Sequence, residues 1–470
     1  MRSLRPNIHT PSSSDLDTSG NLGEFDFFNE PSTSRHETRV LSASSSFSSY
    51  TDLTSWSRPS SNTGVNMRSD LSLMRRYSAS SIDLRSTATH VETSAARHLR
   101  TDKMSIDYSV TDSNATSASP VDWSTNNIVV FARGNRVHYK NLSSNEDVGQ
   151  LCKIRDNQGN LQLLSCGGKD QHNAVALCTS KGQIQIWDVS TKKLTLNWTT
   201  KGVTAMKWNG PILTVGGERG TIRHFDTRIK DTAKLKEQTK KVTRHQAKIC
   251  TLAWNDEGKY LASGDKTGLV HVWDSRQNTP LDVGEMVQRR KKMQHAGAIT
   301  ALAWCPWQTK ILASGDSAPD GSGTIRIWNI SPSTAFSSNH PDKLELDAQV
   351  TSLHWSTHCK EILSTHGPGK STPVPITPSI DINNEYFSFS NDPRPSRIAN
   401  SVLIHSYPSL RNVATVAAAS TNVAGSILSP NGQKALLAVP EEMKLKIWDI
   451  WGKCKELRRS NSVLSGSGIR

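Results

Sequence analysis

The amino-acid sequence predicts an all-β fold: a seven-bladed β-propeller preceded by a disordered N-terminal region. Three observations predict it. From Val121 onward, short Val/Ile/Leu/Trp runs alternate with Gly/Asp/Asn turns, the pattern of many short strands. One strand type recurs with an aromatic residue followed by Asp or Asn: "QIQIWDVS" at Trp187, "TIRHFDTR" at Phe225, "LVHVWDSR" at Trp273, "TIRIWNIS" at Trp328 and "KLKIWDIW" at Trp448. Weaker copies at Tyr139 and His405 bring the count to seven. The spacing at this strand is 38 (187 to 225), 48 (225 to 273) and 55 (273 to 328), which brackets the ~40–45-residue WD repeat.

Residues 1–117 come first in the chain and read as disordered. Between Leu41 and Ser60, eleven of twenty residues are Ser or Thr, and such a stretch buries too little apolar area to offset the entropy of ordering. The propeller is expected over 118–455. Within it, each aromatic-Asp strand follows a second strand type, such as "KYLASGD" from Lys259 and "KILASGD" from Lys310. Several units add a third type ahead of that, such as "ICTLAWN" from Ile249 and "ITALAWC" from Ile299. Seven such blades close into a ring without long exposed edges. The sixth unit is interrupted between residues 370 and 400, where Pro stands at 373, 375, 378, 393 and 395; this is too long and too Pro-rich for a strand and predicts a loop insertion on one propeller face. Residues 456–470 lack a core pattern and predict a flexible tail.

Composition bounds the function. The chain has 470 residues, and 56 basic against 42 acidic side chains give +14. The positive residues are scattered, and the densest group, Arg289 to Lys292, reads as a solvated loop, so the charge favours acidic partners over nucleic acid. No apolar run of membrane-spanning length occurs and no secretory h-region is visible at the start, so no membrane association is expected. The seven cysteines show no CxxC or zinc spacing. Those beside tryptophans, such as Cys250 and Cys305, read as reduced core residues, which points to the nucleus and cytoplasm. No cofactor and no metal are expected.

Polar residues recur once per repeat. His245, Ser263, Asp265 and Trp273 stand where WD repeats place a hydrogen-bonded His–Asp–Ser–Trp chain, and His295, Ser314, Asp316 and Trp328 repeat it. A hydrolase triad uses similar residue types, but a set repeated with the blade belongs to the scaffold. No metalloprotease, P-loop or dinucleotide fingerprint is present, so no catalytic residue is assigned.

"AWCPWQTKILASGD" with "TIRIWN", "VDWSTNN" at Val121, "VTSLHWSTHCKEILSTHG" at Val350 and "IHSYPSL" at Ile404 together resemble the Fizzy and Fizzy-related proteins. The likeness covers roughly residues 120–452, and the CPW and YPSL steps are not general WD-repeat features. It is similar to that family also in its last two residues, Ile469 and Arg470. The resemblance implies a substrate-recruiting activator of the anaphase-promoting complex in the cell cycle. In it, the Ile-Arg tail binds a helical-repeat subunit and the propeller binds degron-bearing substrates such as cyclins. A specialised form, for instance a meiotic one, is an expectation of the same kind.

The chain departs from the family pattern in two places. The C-box string, Asp-Arg-aromatic-Ile-Pro, does not occur. The family's degron-binding positions fall, by the resemblance, on Asp122 and Gln349, which match, and on Lys266, Gly268 and Asn422, which replace two Asn and an Arg. Two acidic positions fall on Ala115 and Met443. An inhibitory ligase-bound paralogue and a WD-repeat scaffold unrelated to ubiquitination stand as alternatives.

Overall fold

The computed structural model describes residues 94–110, 120–144, 146–287, 289–331, 342–370 and 396–452. Among the described residues the strands form seven sheets arranged as propeller blades. β1 (Asp102–Asp107) comes first in the chain. Blade 1 is then β2 (Val121–Trp123), β3 (Ile128–Arg133), β4 (Arg136–Asn141) and β5 (Gly149–Lys153). Blade 2 is β6 (Leu161–Cys166), β7 (Ala174–Thr179), β8 (Gln183–Asp188) and β9 (Lys193–Thr199). Blade 3 is β10 (Val203–Asn209), β11 (Ile212–Gly217), β12 (Thr221–Asp226) and β13 (Lys240–Thr243). Blade 4 is β14 (Ile249–Trp254), β15 (Tyr260–Asp265), β16 (Leu269–Asp274), β17 (Glu285–Val287) and β18 (Arg290–Gln294). Blade 5 is β19 (Ala298–Trp304), β20 (Ile311–Ser317), β21 (Gly323–Asn329) and β22 (Asp342–Leu346). Blade 6 is β23 (Ala348–Trp355), β24 (Glu361–Gly369), β25 (Ser401–Ser406) and β26 (Asn412–Ala417). Blade 7 is β27 (Gly425–Leu428), β28 (Lys434–Val439) and β29 (Lys444–Asp449), with β1 as its outer strand.

The strand chemistry follows from the ring. The second strand of each blade lies between two neighbouring blades, so it is covered on both faces and reads as a continuous apolar run, as in "KALLAV" of β28. Third strands alternate more, as in β21, where partly buried Arg326, paired with Glu285 at 2.9 Å, stands between buried Ile325 and Ile327. The blades stand close enough to dictate glycine: a Cβ on Gly264 would lie 2.3 Å from Ile299 Cγ2 of the next blade, and one on Gly315 would lie 2.6 Å from Val350 Cγ1. These are the glycines of the two "ASGD" runs. Inner-strand tryptophans tie adjacent blades through their indole N–H: Trp208 to Ser165 O, Trp304 to Ala253 O and Trp355 to Ala303 O, each at 3.0 Å.

The N-terminal boundary differs from the one the sequence predicts. Residues 94–110, expected to be disordered, form a short helix, α1 (Ser94–His98), and β1. β1 pairs antiparallel with β29 from Asp102↔Trp448 to Asp107↔Lys444. The following residues cross to blade 1, where Ser109 N donates to Ala132 O and Gly134 N to Ser109 O. Ile106 and Tyr108 are buried against Val121, Phe131, Leu436 and Leu445 of the two blades they join. Ala95 of α1 and Leu99, just after it, join the cluster holding Val402, Leu437 and Trp451. Propeller structure therefore begins before residue 118. The strand escapes detection because Ile106 is the one buried side chain in β1, too few for a period-2 pattern.

Two further differences are local. The basic run at Arg289 is not a loop: Arg290 to Lys292 lie in β18, paired with β17 as a hairpin on the rim of blade 4. The insertion of blade 6 is bracketed by described residues at both ends, with Gly369 and Ser396 side by side, while 371–395 lie outside the described residues. So do residues 1–93 and 453–470, and with them most of the predicted N-terminal region and the tail with Ile469 and Arg470.

If β1 closes the ring, a chain starting at residue 94 should melt in one cooperative transition near the full-length midpoint, and a chain starting at 118 should not. Ile106→Asp in the full chain, which buries an unpaired carboxylate, should cost about 3 kcal/mol or more. Equal melting curves for the two truncations, read by circular dichroism, would refute the closure.

Candidate binding face

The strand registers set the depth of every side chain in the ring. Paired strands place Trp208 opposite Leu213, Trp123 opposite Val129 and Trp355 opposite Ile362, so Trp123, Trp208 and Trp355 occupy one layer. Six residues earlier along the inner strand, at one rim of the central channel, stand Gln349 and, by the pairing of Leu428 with Ala435, Asn422. Counting back in the same way from Trp254, which pairs with Leu261, puts Lys248 at that rim position too. The turns between second and third strands open on the same face, and Lys266, Gly268 and Met443 lie in them.

The structure brings together part of the predicted set. Gln349 and Asn422 flank Gly367: a Cβ there would lie 2.9 Å from Asn422 Oδ1 and 3.7 Å from Gln349 Oε1. Gln349 Nε2 donates to Ala318 O at 3.3 Å, which leaves its oxygen toward Gly367 as an acceptor. Asn422 Oδ1 is buried and has no donor among the described residues. Two amide oxygens thus face one point, where a peptide N–H or an amine could donate. Lys266 is exposed, and its backbone N–H donates to Lys248 O at 2.9 Å. Sequence comparison alone misses Lys248, which is visible only after the registers are known. Gly268 has φ +84, and a Cβ there would lie 2.4 Å from His295 O.

Asp122 does not belong with them. It sits one residue before Trp123, in the layer of Lys207 and His354, five residues deeper than Gln349, or about 17 Å along a strand. Its two oxygens accept the N–H groups of Trp123 and Cys166, each at 2.8 Å, and the second bond ties blade 1 to blade 2. Burial pushes its carboxyl up, against the opposing pull of Lys207 and the two amides. Its role in this structure is a latch between inner strands. Met443, where the resemblance places a carboxylate, is exposed and holds φ 53, and its carbonyl accepts the Tyr108 N–H. The neighbouring Glu442 does not substitute for it, because it is paired with Lys446 at 2.7 Å and accepts from Ser420 N and Oγ. Ala115 lies outside the described residues.

The repeated polar chains are scaffold. His245 bridges Asp265 Oδ2 at 2.7 Å and Ser263 Oγ at 2.7 Å, and the Trp273 indole donates to the same hydroxyl at 2.8 Å. All four side chains are buried. Burial would raise the Asp265 carboxyl, but the hydrogen bonds from His245, Thr267 and Leu269 outweigh it and hold the group low. In the second chain Ser314 still links His295 (2.6 Å) to Trp328 (2.7 Å). There His295 Nδ1 turns to Thr324 Oγ1 at 3.0 Å and stands 3.6 Å from Asp316, which binds Gly297 N instead. Blade 6 keeps the serine and replaces the aspartate and tryptophan with His366 and His405: Ser364 Oγ and His366 Nε2 are 2.9 Å apart. The two distinctive sequence steps also meet. Trp307 of the CPW step and Tyr407 of the YPSL step both pack edge-on against Trp355, at 5.6 and 5.1 Å between centroids.

Among the described residues no group of His, Cys, Asp and Glu could hold a metal ion, and no helix is long and apolar enough to cross a membrane.

Comparison with known proteins gives a consistent result. The family model described as the CDC20/Fizzy WD40 domain matches residues 113–448. The WD repeat-containing protein slp1 of Schizosaccharomyces pombe is 29% identical over 333 residues, covering 70% of this chain and 58% of the relative. The anaphase-promoting complex subunit cdc20 of Dictyostelium discoideum is 28% identical over 359 residues, covering 74% of this chain and 61% of the relative. The chain thus spans about three fifths of the length of these relatives. Among solved structures, a chain of the crystal structure of the mitotic checkpoint complex is 25% identical, with a TM-score of 0.59 over 78% of this chain and 97% of that one.

The histidines of blade 6 generate a pH prediction. Burial, with His405 beside it, pulls His366 down to about 3, and burial pulls His405 down to about 4. Both are neutral in the folded state at pH values where the unfolded chain, titrating at the ordinary 6.5, is already charged. Stability is therefore full above pH 6.5 and falls as the pH drops toward 4. His405→Phe, which removes one such group, should shrink the loss between pH 7 and pH 5 by about 1–2 kcal/mol. Denaturant midpoints at the two pH values check this, and an unchanged loss would rule it out.

Proposed function

The chain belongs to the CDC20/Fizzy WD40 family, and from that premise we propose that it is a substrate-recruiting activator of the anaphase-promoting complex, a binding protein and not an enzyme. The observation that carries the proposal is the family match over residues 113–448, including the CPW and YPSL steps that meet at Trp355. In this reading the rim with Gln349 and Asn422 receives part of a degron from substrates such as cyclins, the amide oxygens accepting peptide N–H groups. Ile469 and Arg470 bind a helical-repeat subunit of the ligase: the guanidinium supplies a charge-assisted fork and Ile469 one buried apolar contact. The six described cysteines are free thiols, which suits action in the nucleus and cytoplasm.

A second reading is favoured by one specific feature. Lys266, Gly268 and Asn422 stand where the resemblance calls for two Asn and an Arg, so the chain could occupy the ligase while recruiting poorly and act as an inhibitory paralogue. The same divergence is the support for a specialised, for instance meiotic, substrate range.

Binding to the purified ligase tests the class. Arg470→Ala removes a charge-assisted contact worth about 1.5–3 kcal/mol, so affinity should fall about 10- to 150-fold. Equal affinities would remove the tail from the proposal. Adding the wild-type chain to a cyclin ubiquitination reaction then separates the two readings: stimulation supports the activator, and suppression of another activator's output supports the inhibitor.

A further inference from the structure

The binding face carries a charge asymmetry that the degron positions do not explain. We propose that the connections of blades 2, 3 and 4 form a cationic arc that docks an acidic, Asp- or Glu-rich peptide segment of a bound protein. The recruiting role proposed above decides only whose segment this is.

The arc is built from turns and links on one face. Lys181 lies in the turn of blade 2 (180–182), Lys201 in the link to blade 3 (200–202), and Arg219 in the turn of blade 3 (218–220). Arg244 and Lys248 lie in the link to blade 4 (244–248), and Lys266 in the turn of blade 4 (266–268). All six are exposed, and none is paired with a carboxylate among the described residues. Glu218 is the one acidic residue in these connections, so six less one leaves +5.

The connections abut in sequence. Thr200 N donates to Gly182 O at 2.8 Å, Glu218 N to Gly202 O at 2.8 Å, and Lys266 N to Lys248 O at 2.9 Å. A Cβ on Gly220 would lie 2.1 Å from His245 O, which closes the remaining step. The cations therefore follow one contiguous belt of connections. The other half of the face differs: among the described residues, the turns and links of blades 5 to 7 carry Asp320, Asp347, Glu441 and Glu442 against Lys370 and Arg397. There Asp320 is paired with Lys370 at 3.0 Å, and Glu442 with Lys446 of β29.

A solvated lysine rim is the plain alternative, and lysines do protect sheet edges from pairing. These six, however, lie in turns and links and not on edge strands, and they gather on one side of the channel. The occupant is a peptide and not a nucleic acid. These connections contain no aromatic residue on which a base could stack. Lys248 also shares its register with Gln349 and Asn422, whose oxygens suit backbone N–H donors. Charges so placed act within about 8 Å at physiological salt, so they select segments already lying across the rim.

The test uses the full chain without ligase, so its outcome does not depend on tail binding. Fluorescence anisotropy would follow a labelled alternating Glu-Ser peptide, its Gln-Ser counterpart and a thymidine oligonucleotide of equal net charge. The Glu-Ser peptide should bind, and more weakly as salt rises. The combined Lys201→Glu, Arg219→Glu, Lys248→Glu and Lys266→Glu variant should lose about tenfold or more in affinity at an unchanged melting midpoint. Reversal of Arg290, Lys291 and Lys292 on the outer hairpin should leave binding as it was. Equal affinity of the arc variant and wild type, an equal loss in the hairpin variant, or tighter binding of the oligonucleotide than of the peptide would each overturn the proposal.

Discussion

The pairing of β1 with β29 is the constraint on which the rest of the structure depends. A propeller blade has little stability alone, because its second and third strands need a neighbour on each side. Six blades find both neighbours from consecutive sequence. The seventh has one strand too few, and the chain completes it with a segment that comes before blade 1. The segment then continues into blade 1 through Ser109 and Ala132, so the first and last units are joined by backbone hydrogen bonds as well as by the packing of Ile106 and Tyr108. Everything that positions the binding face assumes that this ring is closed.

Closure fixes depth, and depth sorts function. Once the ring is complete, the inner strands share a register, and residues at equal depth form layers around the channel. One layer holds the tryptophans that reach the preceding blade. The layer beside it holds Asp122, Lys207 and His354, two of them drawn into structural contacts: Asp122 to Cys166 N, and His354 Nε2 to Ser426 Oγ at 3.0 Å. Burial pulls His354 down to about 4, so it remains neutral beside Lys207. The rim layer keeps uncommitted groups, among them Lys248 and the amide oxygens of Gln349 and Asn422.

Much of the fold was legible in the sequence because the blade repeats a chemical pattern. The aromatic-Asp strands, the "ASGD" runs and the first His–Asp–Ser–Trp chain are found where the spacing predicts them, since buried indoles and hydroxyls need fixed partners. What was not legible lacks such partners. β1 offers one buried side chain, and β2 and β6 carry weak copies of the inner-strand pattern. The second polar chain shows the intended residues but lets Thr324 take the place of Asp316 at His295, a choice set by side-chain geometry that spacing cannot reveal. The candidate site was legible position by position and not as a site: Asp122 shares a motif with the family but sits five residues too deep to join Gln349, and Lys248 has no motif at all.

The same geometry explains how the face can diverge while the scaffold does not. Changes at the rim fall in turns whose side chains point away from the blades, so Lys266 costs the core nothing. Gly268 is a different case. With φ +84 and His295 O 2.4 Å from where a Cβ would stand, any side chain would push the turn of blade 4 away from the link to blade 5. That link holds His295 N on Gly268 O at 2.8 Å, and His295 anchors the polar chain of blade 5 through Ser314. Of the two positions where the resemblance calls for Asn, one is thus a free choice of charge and the other is locked by the scaffold. A change to Asn at 266 alone alters what the rim attracts, whereas the same change at 268 would first have to move the turn of blade 4.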